Sequence, residues 1–318
     1  MKEAAEHPGN PAPLFIAGPT ASGKSALALL LAEKLGGEII SVDSMQVYRG
    51  LDVGTAKPSL QEQAQVPHHL IDAADLDEPF DAARFCELAK VAEKDIRQRG
   101  KVPIFCGGTG LYFKAYLEGL GDAPPTDETL RAELERTPLE ELLGELQQKD
   151  PITFEKIDRQ NPRRVVRALE VIRLTGRPFS EQRSQWQTRA VPRTRVPHFY
   201  ALQREMPNLH ERINLRVDQM FAQGLVAETE ALLKRGLEKN RTAMQAIGYR
   251  QVVEYLRGER DLPATVELIK IKTRQFAKRQ MTWFRGQFEL EWIALEQSRT
   301  LQAAADQIAA IYQGSSVD

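Results

Sequence analysis

The sequence has few cysteines: Cys86 and Cys106 are the two among its 318 residues. Two thiols are too few for a disulfide framework or a cysteine-based zinc site, and both lie in apolar stretches typical of buried residues in a reducing compartment. No apolar run approaches the ~20 residues of a membrane span, and residues 1–13 lack the apolar core of a signal peptide. We therefore predict a cytoplasmic globular protein with no membrane association.

A net excess of charge is also absent, since the formal net charge is −1. The charge is nonetheless unevenly distributed. Between Arg241 and Arg285 there are ten Lys or Arg residues against four Asp or Glu, and the segment from Arg159 to Arg195 is similarly basic. Such segments are either solvated helix faces or docking surfaces for a polyanion.

The most informative feature that is present is a complete phosphate-loop motif, G-x-x-x-x-G-K-[ST], at residues 18–25. Its glycines let backbone N–H groups point at a phosphate, its lysine adds a positive charge, and its last hydroxyl can bind Mg²⁺. Apolar residues 14–17 predict a strand before the motif, and residues 26–35 predict a helix after it. The predicted phosphate-binding residues are Gly18, Pro19, Thr20, Ala21, Ser22, Gly23, Lys24 and Ser25, with Ser25 as the metal ligand. The motif does not decide whether the phosphates belong to a nucleotide such as ATP.

The first part of the chain alternates strand and helix patterns, as repeated βα units do. Further strands are predicted at 38–42, 68–72 and 102–106, and a helix capped by Asp81 is predicted to end at Gly100. A second glycine-rich turn, residues 107–110, follows the strand at 102–106. In a parallel sheet such turns meet at the carboxyl edge, where ligands bind. The pattern predicts an α/β protein with a P-loop nucleoside-triphosphate-hydrolase-like parallel sheet.

The pattern changes after Gly121. A proline-rich linker begins a long, almost wholly helical region, and strand patterns return at 198–202 and 291–295. Because late strands need a sheet to join, we favour one core with an insertion over two consecutive domains. The predicted division is a first part of the core at 1–122, a helical insertion at 123–190, and a second part of the core with basic C-terminal helices at 191–318.

Asp43 is the candidate for chemistry, because it directly follows the second predicted strand and would emerge beside the phosphate loop. It can serve as a Mg²⁺ ligand, as a general base, or as a structural cap. No second strand ends in an acidic residue, and no arginine-rich lid typical of kinases is evident. The loop can therefore hold a diphosphate leaving group in place of a nucleotide.

An ordered set of further motifs accompanies the phosphate loop. They are Asp43-Ser44-Met45-Gln46-Val47-Tyr48, Gly54-Thr55-Ala56-Lys57-Pro58, Gly107-Gly108-Thr109-Gly110-Leu111-Tyr112, Ile247-Gly248-Tyr249-Arg250-Gln251, Thr273-Arg274-Gln275, Lys278-Arg279-Gln280 and Thr282-Trp283. Together, over about residues 14–295, they resemble the tRNA dimethylallyltransferase family, in its bacterial form without a C-terminal zinc element.

The resemblance implies transfer of a dimethylallyl group from its diphosphate to the N6 amine of the adenosine 3′-adjacent to the anticodon of tRNA. Ionisation of an allylic diphosphate needs charge stabilisation, which a phosphate loop with Mg²⁺ supplies. The amine must lose a proton, and Asp43 is suitably placed to accept it. The target base must leave its stack to react.

The resemblance also implies roles for single residues. Thr20 would hydrogen-bond the oxygen that links the diphosphate to the allyl group, and Lys24 would act with it. Arg212 and Arg216, four residues apart on one helix face, either hold the diphosphate or form surface ion pairs. The residues expected to contact the anticodon stem-loop of tRNA are Asp43, Ser44, Met45, Gln46, Thr109, Arg131, Gln160, Asn161, Pro162, Arg163, Arg164, Gly248, Tyr249, Arg250 and Gln251.

Other interpretations remain open at this stage. A small-molecule or nucleotide kinase would use Asp43 as base for a hydroxyl group, and a non-catalytic RNA-binding protein would use the loop as a nucleotide switch. His68 and His69 are interpreted as structural residues, since no acidic cluster lies nearby in the sequence. We expect Mg²⁺ as the cofactor, a monomer as the oligomeric state, and the helical insertion as a tRNA-binding lid.

Overall fold

The computed structural model describes residues 11–120, 124–182, 194–295 and 300–314. The chain divides into two compact units, one formed by Met1–Ala115 with Arg193–Asp318 and the other by Tyr116–Pro192. In the described residues, no helix combines the length and the apolar character needed to cross a bilayer.

The first unit is built on a six-stranded sheet in the order β3-β2-β4-β1-β5-β6, in which every neighbouring pair is parallel. The strands are β1 (Leu14–Ala17), β2 (Gly37–Val42), β3 (His68–His69), β4 (Val102–Gly107), β5 (Thr194–Gln203) and β6 (Phe288–Ala294). Strand β1 is central and lies between β4 and β5. In the sequence, β4 precedes the second unit and β5 follows it. The predicted α/β class with a parallel sheet is confirmed.

The helices of the first unit are α1 (Lys24–Leu35), α2 (Leu60–Gln65), α3 (Ala82–Gln98), α4 (Gly110–Glu118, which runs into the second unit), α9 (Met206–Ala222), α10 (Leu225–Lys234), α11 (Tyr249–Leu256), α12 (Leu262–Gln287) and α13 (Leu301–Gly314). Those of the second unit are α5 (Glu128–Arg136), α6 (Leu139–Lys149), α7 (Pro151–Lys156) and α8 (Pro162–Thr175). Short 3₁₀ turns lie at Phe179–Glu181, Leu237–Lys239 and Ala243–Gln245. Asp81 caps α3 as predicted, its Oδ1 accepting the N–H groups of Ala83 and Arg84.

Three strands differ from the sequence-based prediction, and one of them, predicted at 291–295, spans Phe288–Ala294. The strand predicted at 68–72 has two residues, because Leu70 and Asp72 adopt positive φ angles of 62° and 52° and turn the chain away from the sheet. The strand predicted at 198–202 begins earlier, at Thr194. It is irregular, with a register shift between Arg195 and Tyr200 and a φ of 54° at His198.

The core of the first unit fixes the position of the phosphate loop. Helices α1 and α13 pack together against one face of the sheet through Leu27, Leu31, Ala304 and Ile308, all fully buried. Because α1 starts at the end of the phosphate loop, this packing anchors the loop at its helical end.

The second unit has a hydrophobic core of its own. Helices α5, α6 and α8 bury Leu134, Leu146, Val165 and Leu169 against one another. In the described residues 124–182 the regular structure is helical throughout. Asp150, almost fully buried, caps α7 and accepts hydrogen bonds from the backbone and hydroxyl groups of both Thr153 and Ser180.

Candidate active site

The phosphate loop adopts a backbone that its glycines make possible. Gly18 and Gly23 have φ angles of 153° and 102°, a region that side chains rarely adopt. Ala21 also has a positive φ, 62°, and its methyl group packs against Leu209, Ile213 and Ala277. The strain at this non-glycine residue is therefore balanced by packing, which fixes the curvature of the loop.

Three cations surround this loop, and none of them pairs with a carboxylate of the described residues. Arg212 Nε donates to the carbonyl of Ala21 at 2.9 Å, and Arg216 Nη2 donates to that of Thr55 at 3.3 Å. Arg216 Nε is buried with no hydrogen-bond partner. Within the described part of the chain, neither arginine forms an ion pair with a carboxylate, nor does Lys24. The described contacts therefore favour the diphosphate interpretation of the two arginines over surface ion pairs.

The electrostatics of the loop correspond to a site prepared for an anion. Burial is the main cause that lowers the pKa of Lys24. Cys106 and Asp43 act in the opposite direction, whereas the charge of Arg216 lowers this pKa further. Burial likewise lowers the pKa of Arg216, with Asp43 opposing and Arg212 adding to the shift. Neighbouring positive charges that are removed from water raise the free energy of the folded protein unless a negative charge binds beside them. The arrangement therefore favours binding of a polyanion.

Arg204 is a fourth cation at the loop, and none of the sequence motifs includes it. Its Nε donates to the carbonyl of Ser22 at 2.7 Å, and its guanidinium lies against Gly23. The residue directly follows β5, which ends at the same sheet edge as β1. Arg204 follows a parallel strand that lies next to the strand before the phosphate loop. This position is the signal that would have identified it.

Asp43 follows β2 and is half-buried at the same edge. Its Oδ1 accepts the N–H groups of Met45 at 2.8 Å and Gln46 at 3.3 Å, so one oxygen caps the following turn. No hydrogen bond in the described chain involves its Oδ2. The carboxylate therefore combines the structural cap weighed from the sequence with an oxygen that remains available for chemistry.

The second glycine-rich turn lies next to Asp43. The hydroxyl oxygen of Thr109 accepts the N–H of Ser44 at 3.1 Å, and the Thr109 N–H donates to the carbonyl of Val42 at 3.2 Å. Glycine is required on both sides of Thr109, since a Cβ at position 107 would overlap the Val42 carbonyl and one at 110 would overlap the Trp283 ring. The two predicted segments that contain Asp43 and Thr109 are thus brought together.

Motifs far apart in the sequence hold the neighbouring loop Gly54–Pro58. Glu228 accepts the N–H groups of Val53 and Gly54. The Tyr249 hydroxyl donates to Glu228 and accepts the N–H of Gly54. Lys57 Nζ donates to Asp52, Asp72 and the carbonyl of Tyr48. Gln46 Nε2 donates to the carbonyls of Thr55 and Ala56, so its side chain is engaged within the loop.

Burial distinguishes the residues predicted at 248–251 from one another. Tyr249 is fully buried and Gln251 is 7% exposed, and the Gln251 side chain accepts the N–H of Gly248. These two side chains support the loop at Gly54 and the start of α11. Arg250 is the exposed member of the segment and pairs with Glu254.

A shallow groove of about 460 Å³ is lined by Gln275, Lys278, Arg279, Thr282 and Trp283 of α12. Phe276 is partly exposed beneath the guanidinium of Arg279, whereas Phe284 is fully buried in the aromatic core. The positive charges of Lys278 and Arg279 are suited to the phosphate groups of a nucleic acid, and the indole of Trp283 is suited to stacking on a base.

In the second unit, the predicted contacts lie around the start of α8. Gln160, Pro162, Arg163 and Arg164 are exposed, and Asn161 occupies the N-cap position. Partial desolvation of its guanidinium lowers the pKa of Arg163, and nearby Arg131 adds to the effect. Arg131 and Arg163 were separate predictions from the sequence, and the structure places them close to each other.

The histidines are structural, as interpreted from the sequence. His68 Nδ1 hydrogen-bonds the carbonyl of Val66, and His69 Nε2 pairs with Glu38, which Arg99 also binds. Across the described ranges, no group of three His, Cys, Asp or Glu residues is arranged to hold a metal ion.

The fold and the site define a phosphate-loop α/β protein in which several cations and the carboxylate of Asp43 meet at the binding edge. Residues 46–287 match the protein family described as IPP transferase. The chain belongs to this IPP transferase family.

The relatives are similar along nearly their whole length. A tRNA dimethylallyltransferase 1 of Trichlorobacter lovleyi is 49% identical over 300 residues, covering 93% of this chain and 98% of the relative. A tRNA dimethylallyltransferase of Geobacter metallireducens is 46% identical over 284 residues, covering 88% and 91%.

Solved structures agree with the sequence relatives. The full-length tRNA isopentenylpyrophosphate transferase of Bacillus halodurans has a TM-score of 0.67 at 38% identity, covering 95% of this chain and 97% of that one. A eukaryotic dimethylallyltransferase described as acting on tRNA has a TM-score of 0.75 at 28% identity, covering 95% and 79%.

Proposed function

We propose that this protein transfers the dimethylallyl group of dimethylallyl diphosphate to the N6 amine of the adenosine 3′-adjacent to the anticodon in tRNA. The observation that carries the proposal is the meeting of three unpaired cations and one partly free carboxylate at the phosphate loop. The cations complement a diphosphate, and the carboxylate complements an amine that must lose a proton. Membership of the IPP transferase family supports this chemistry.

In the proposed reaction, the bond between the allylic carbon and the diphosphate oxygen breaks while a bond from N6 to that carbon forms. The negative charge that develops on the leaving diphosphate is stabilised by Lys24, Arg212, Arg216 and the N–H groups of the loop. The hydroxyl of Thr20 donates to the oxygen that leaves. The N6 proton passes to the Asp43 carboxylate.

Ser25 would hold Mg²⁺ together with phosphate oxygens, and the bound ion would add charge stabilisation to the leaving group. The donor set fits such an ion. The Ser25 hydroxyl lies exposed in the first turn of α1, and Mg²⁺ at phosphates takes few protein ligands. Asp43, which follows β2 at this edge, is a candidate for a second ligand.

The proposal can be separated from the kinase alternative by its co-substrate. Incubation with unmodified tRNA and radiolabelled dimethylallyl diphosphate, without ATP, is expected to label one adenosine, located by nucleoside analysis. Inorganic diphosphate is expected to compete with the prenyl donor, because the loop binds the part that the two molecules share. An absolute requirement for ATP hydrolysis would assign the protein to the kinase or switch class.

We further propose that the helical region, predicted at 123–190, binds the anticodon arm of tRNA as a lid. Arg163→Ala combined with Arg164→Ala is expected to weaken tRNA binding and to lower its salt slope by about one to two phosphate contacts. Inorganic diphosphate affinity is expected to stay unchanged, because that site belongs to the first unit. Affinity is measured by titration at several salt concentrations.

The matched control is Arg136→Ala combined with Arg177→Ala, which removes the same charge from two other exposed positions of the second unit. This pair is expected to leave the salt slope unchanged. Equal slopes for wild type and the Arg163/Arg164 variant would leave the region without the role proposed for it.

We also propose that the protein acts as a monomer.

A further inference from the structure

Gln280 connects two loops of the site through both ends of its amide. It lies near the end of α12 and is 8% exposed. Its Oε1 accepts the N–H of Thr20 at 2.9 Å, and its Nε2 donates to the carbonyl of Gly108 at 2.9 Å. One side chain therefore joins the phosphate loop to the second glycine-rich turn, although the two lie about a third of the chain apart.

The two bonds have opposite chemical requirements, and an amide meets both. Thr20 needs an acceptor and Gly108 needs a donor, so neither a carboxylate nor a thioether can replace the side chain fully. Glycine at 108 is part of the fit, since a Cβ there would overlap Gln280 Nε2. The surrounding helix is held in place as well, because Ala277 packs on Ala21 and Trp283 covers Gly110.

Each end of the amide leads to a group proposed to act in the reaction. Thr20 carries the hydroxyl assigned to the leaving oxygen. Gly108 precedes Thr109, whose hydroxyl oxygen accepts the N–H of Ser44, the neighbour of Asp43. The chain of contacts thus runs from the leaving-group side of the site, through Gln280, to the side of the proton acceptor.

We propose that Gln280 is a positioning residue that sets the separation between the Thr20 hydroxyl and the segment bearing Asp43. This inference rests on the proposed transfer reaction. Gln280 acts through Thr20 and Thr109, and it affects the alignment of the two reactants more than the binding of either. A misplacement on the order of 1 Å at such a site lowers turnover by about 10²-fold.

The test is a double-mutant cycle on Gln280→Met and Thr20→Val. In the wild-type background, Gln280→Met is expected to lower kcat about 10- to 100-fold, with inorganic diphosphate and tRNA affinities nearly unchanged. In the Thr20→Val background, the same substitution is expected to lower kcat by less than about threefold, because the hydroxyl that it positions is already absent. Equal fold losses in both backgrounds would overturn the inference.

A purely structural role is distinguished by a matched control. Asn240 is also 8% exposed and also joins backbone segments, donating to the carbonyl of Leu76 and accepting the N–H groups of Thr242 and Ala243. Asn240→Leu is expected to lower the melting temperature with kcat unchanged. If both variants lost only stability, Gln280 would have no positioning role.

Gln280→Glu provides a second variant that keeps the size of the side chain and the acceptor for Thr20. It loses the donor to Gly108, and its kcat is expected to fall at least about 10-fold. A wild-type kcat in this variant would contradict the inference. Failure of the wild-type protein to prenylate tRNA would instead reject the proposed function, so the two failures are distinguishable.

Discussion

Replacing Asp43 by asparagine is expected to lower turnover at saturating substrates by about 10²- to 10⁴-fold, with much smaller effects on the binding of tRNA or of the prenyl donor. Asparagine keeps an oxygen that can accept the N–H groups of Met45 and Gln46, so the turn after β2 retains its cap. What it loses is the negative charge that accepts the amine proton. Single-turnover kinetics with preformed tRNA complex measure the loss directly.

Asp81→Asn is the matched control for this prediction. Asp81 Oδ1 accepts the N–H groups two and three residues ahead, the same pattern as in Asp43, but it caps α3. Its amide variant is expected to keep full turnover. Asp43→Ala, which loses both cap and charge, is expected to be at least as inactive and less stable. Near wild-type turnover in Asp43→Asn would reject Asp43 as the proton acceptor.

Replacing Lys24 or Arg216 by glutamine is expected to weaken competition by inorganic diphosphate about 10- to 100-fold each. This corresponds to loss of one charge-assisted hydrogen bond, worth about 1.5–3 kcal/mol. Affinity for tRNA is expected to change little. The competition constant is measured against radiolabelled dimethylallyl diphosphate at constant Mg²⁺.

The stability of these two variants gives a second measurement. Because burial lowers the pKa of both side chains, the unfolded chain holds their protons more tightly, and each charge destabilises the free protein at neutral pH. We expect melting temperatures no lower than that of wild type. Lys34→Gln is the control on the same helix, since Lys34 pairs with Asp306 at the surface. A loss of stability without weaker diphosphate competition would make the two cations structural.

The local patterns predicted much of the fold. The phosphate loop, Asp43 and the turn at 107–110 were identified from glycine spacing and from residues that directly follow apolar strands, which are local signals. The strand at 68–72 was wrong in length, because positive φ angles at Leu70 and Asp72 depend on what these residues pack against.

The sequence motifs predicted which segments lie near the site better than they predicted the role of each side chain. Arg250 was grouped with Tyr249 and Gln251, yet burial separates the exposed arginine from its two supporting neighbours. Gln280 was noticed as part of a motif without a role, because its partners are 260 and 172 residues away. Arg204 carried no motif and was missed. Contacts of this range are decided by tertiary packing, which a linear pattern does not contain.

The central position of β1 has a consequence for synthesis on the ribosome. This strand pairs with β4 on one side and with β5 on the other, and β5 starts at residue 194. A nascent chain that ends before this point has the phosphate loop but lacks Arg204, Arg212, Arg216 and Gln280. Non-local pairing of this kind forms late and slowly. The proposed diphosphate site is thus incomplete until residues up to Gln280 have been synthesised. A prematurely terminated product would carry the motif without the residues that surround it.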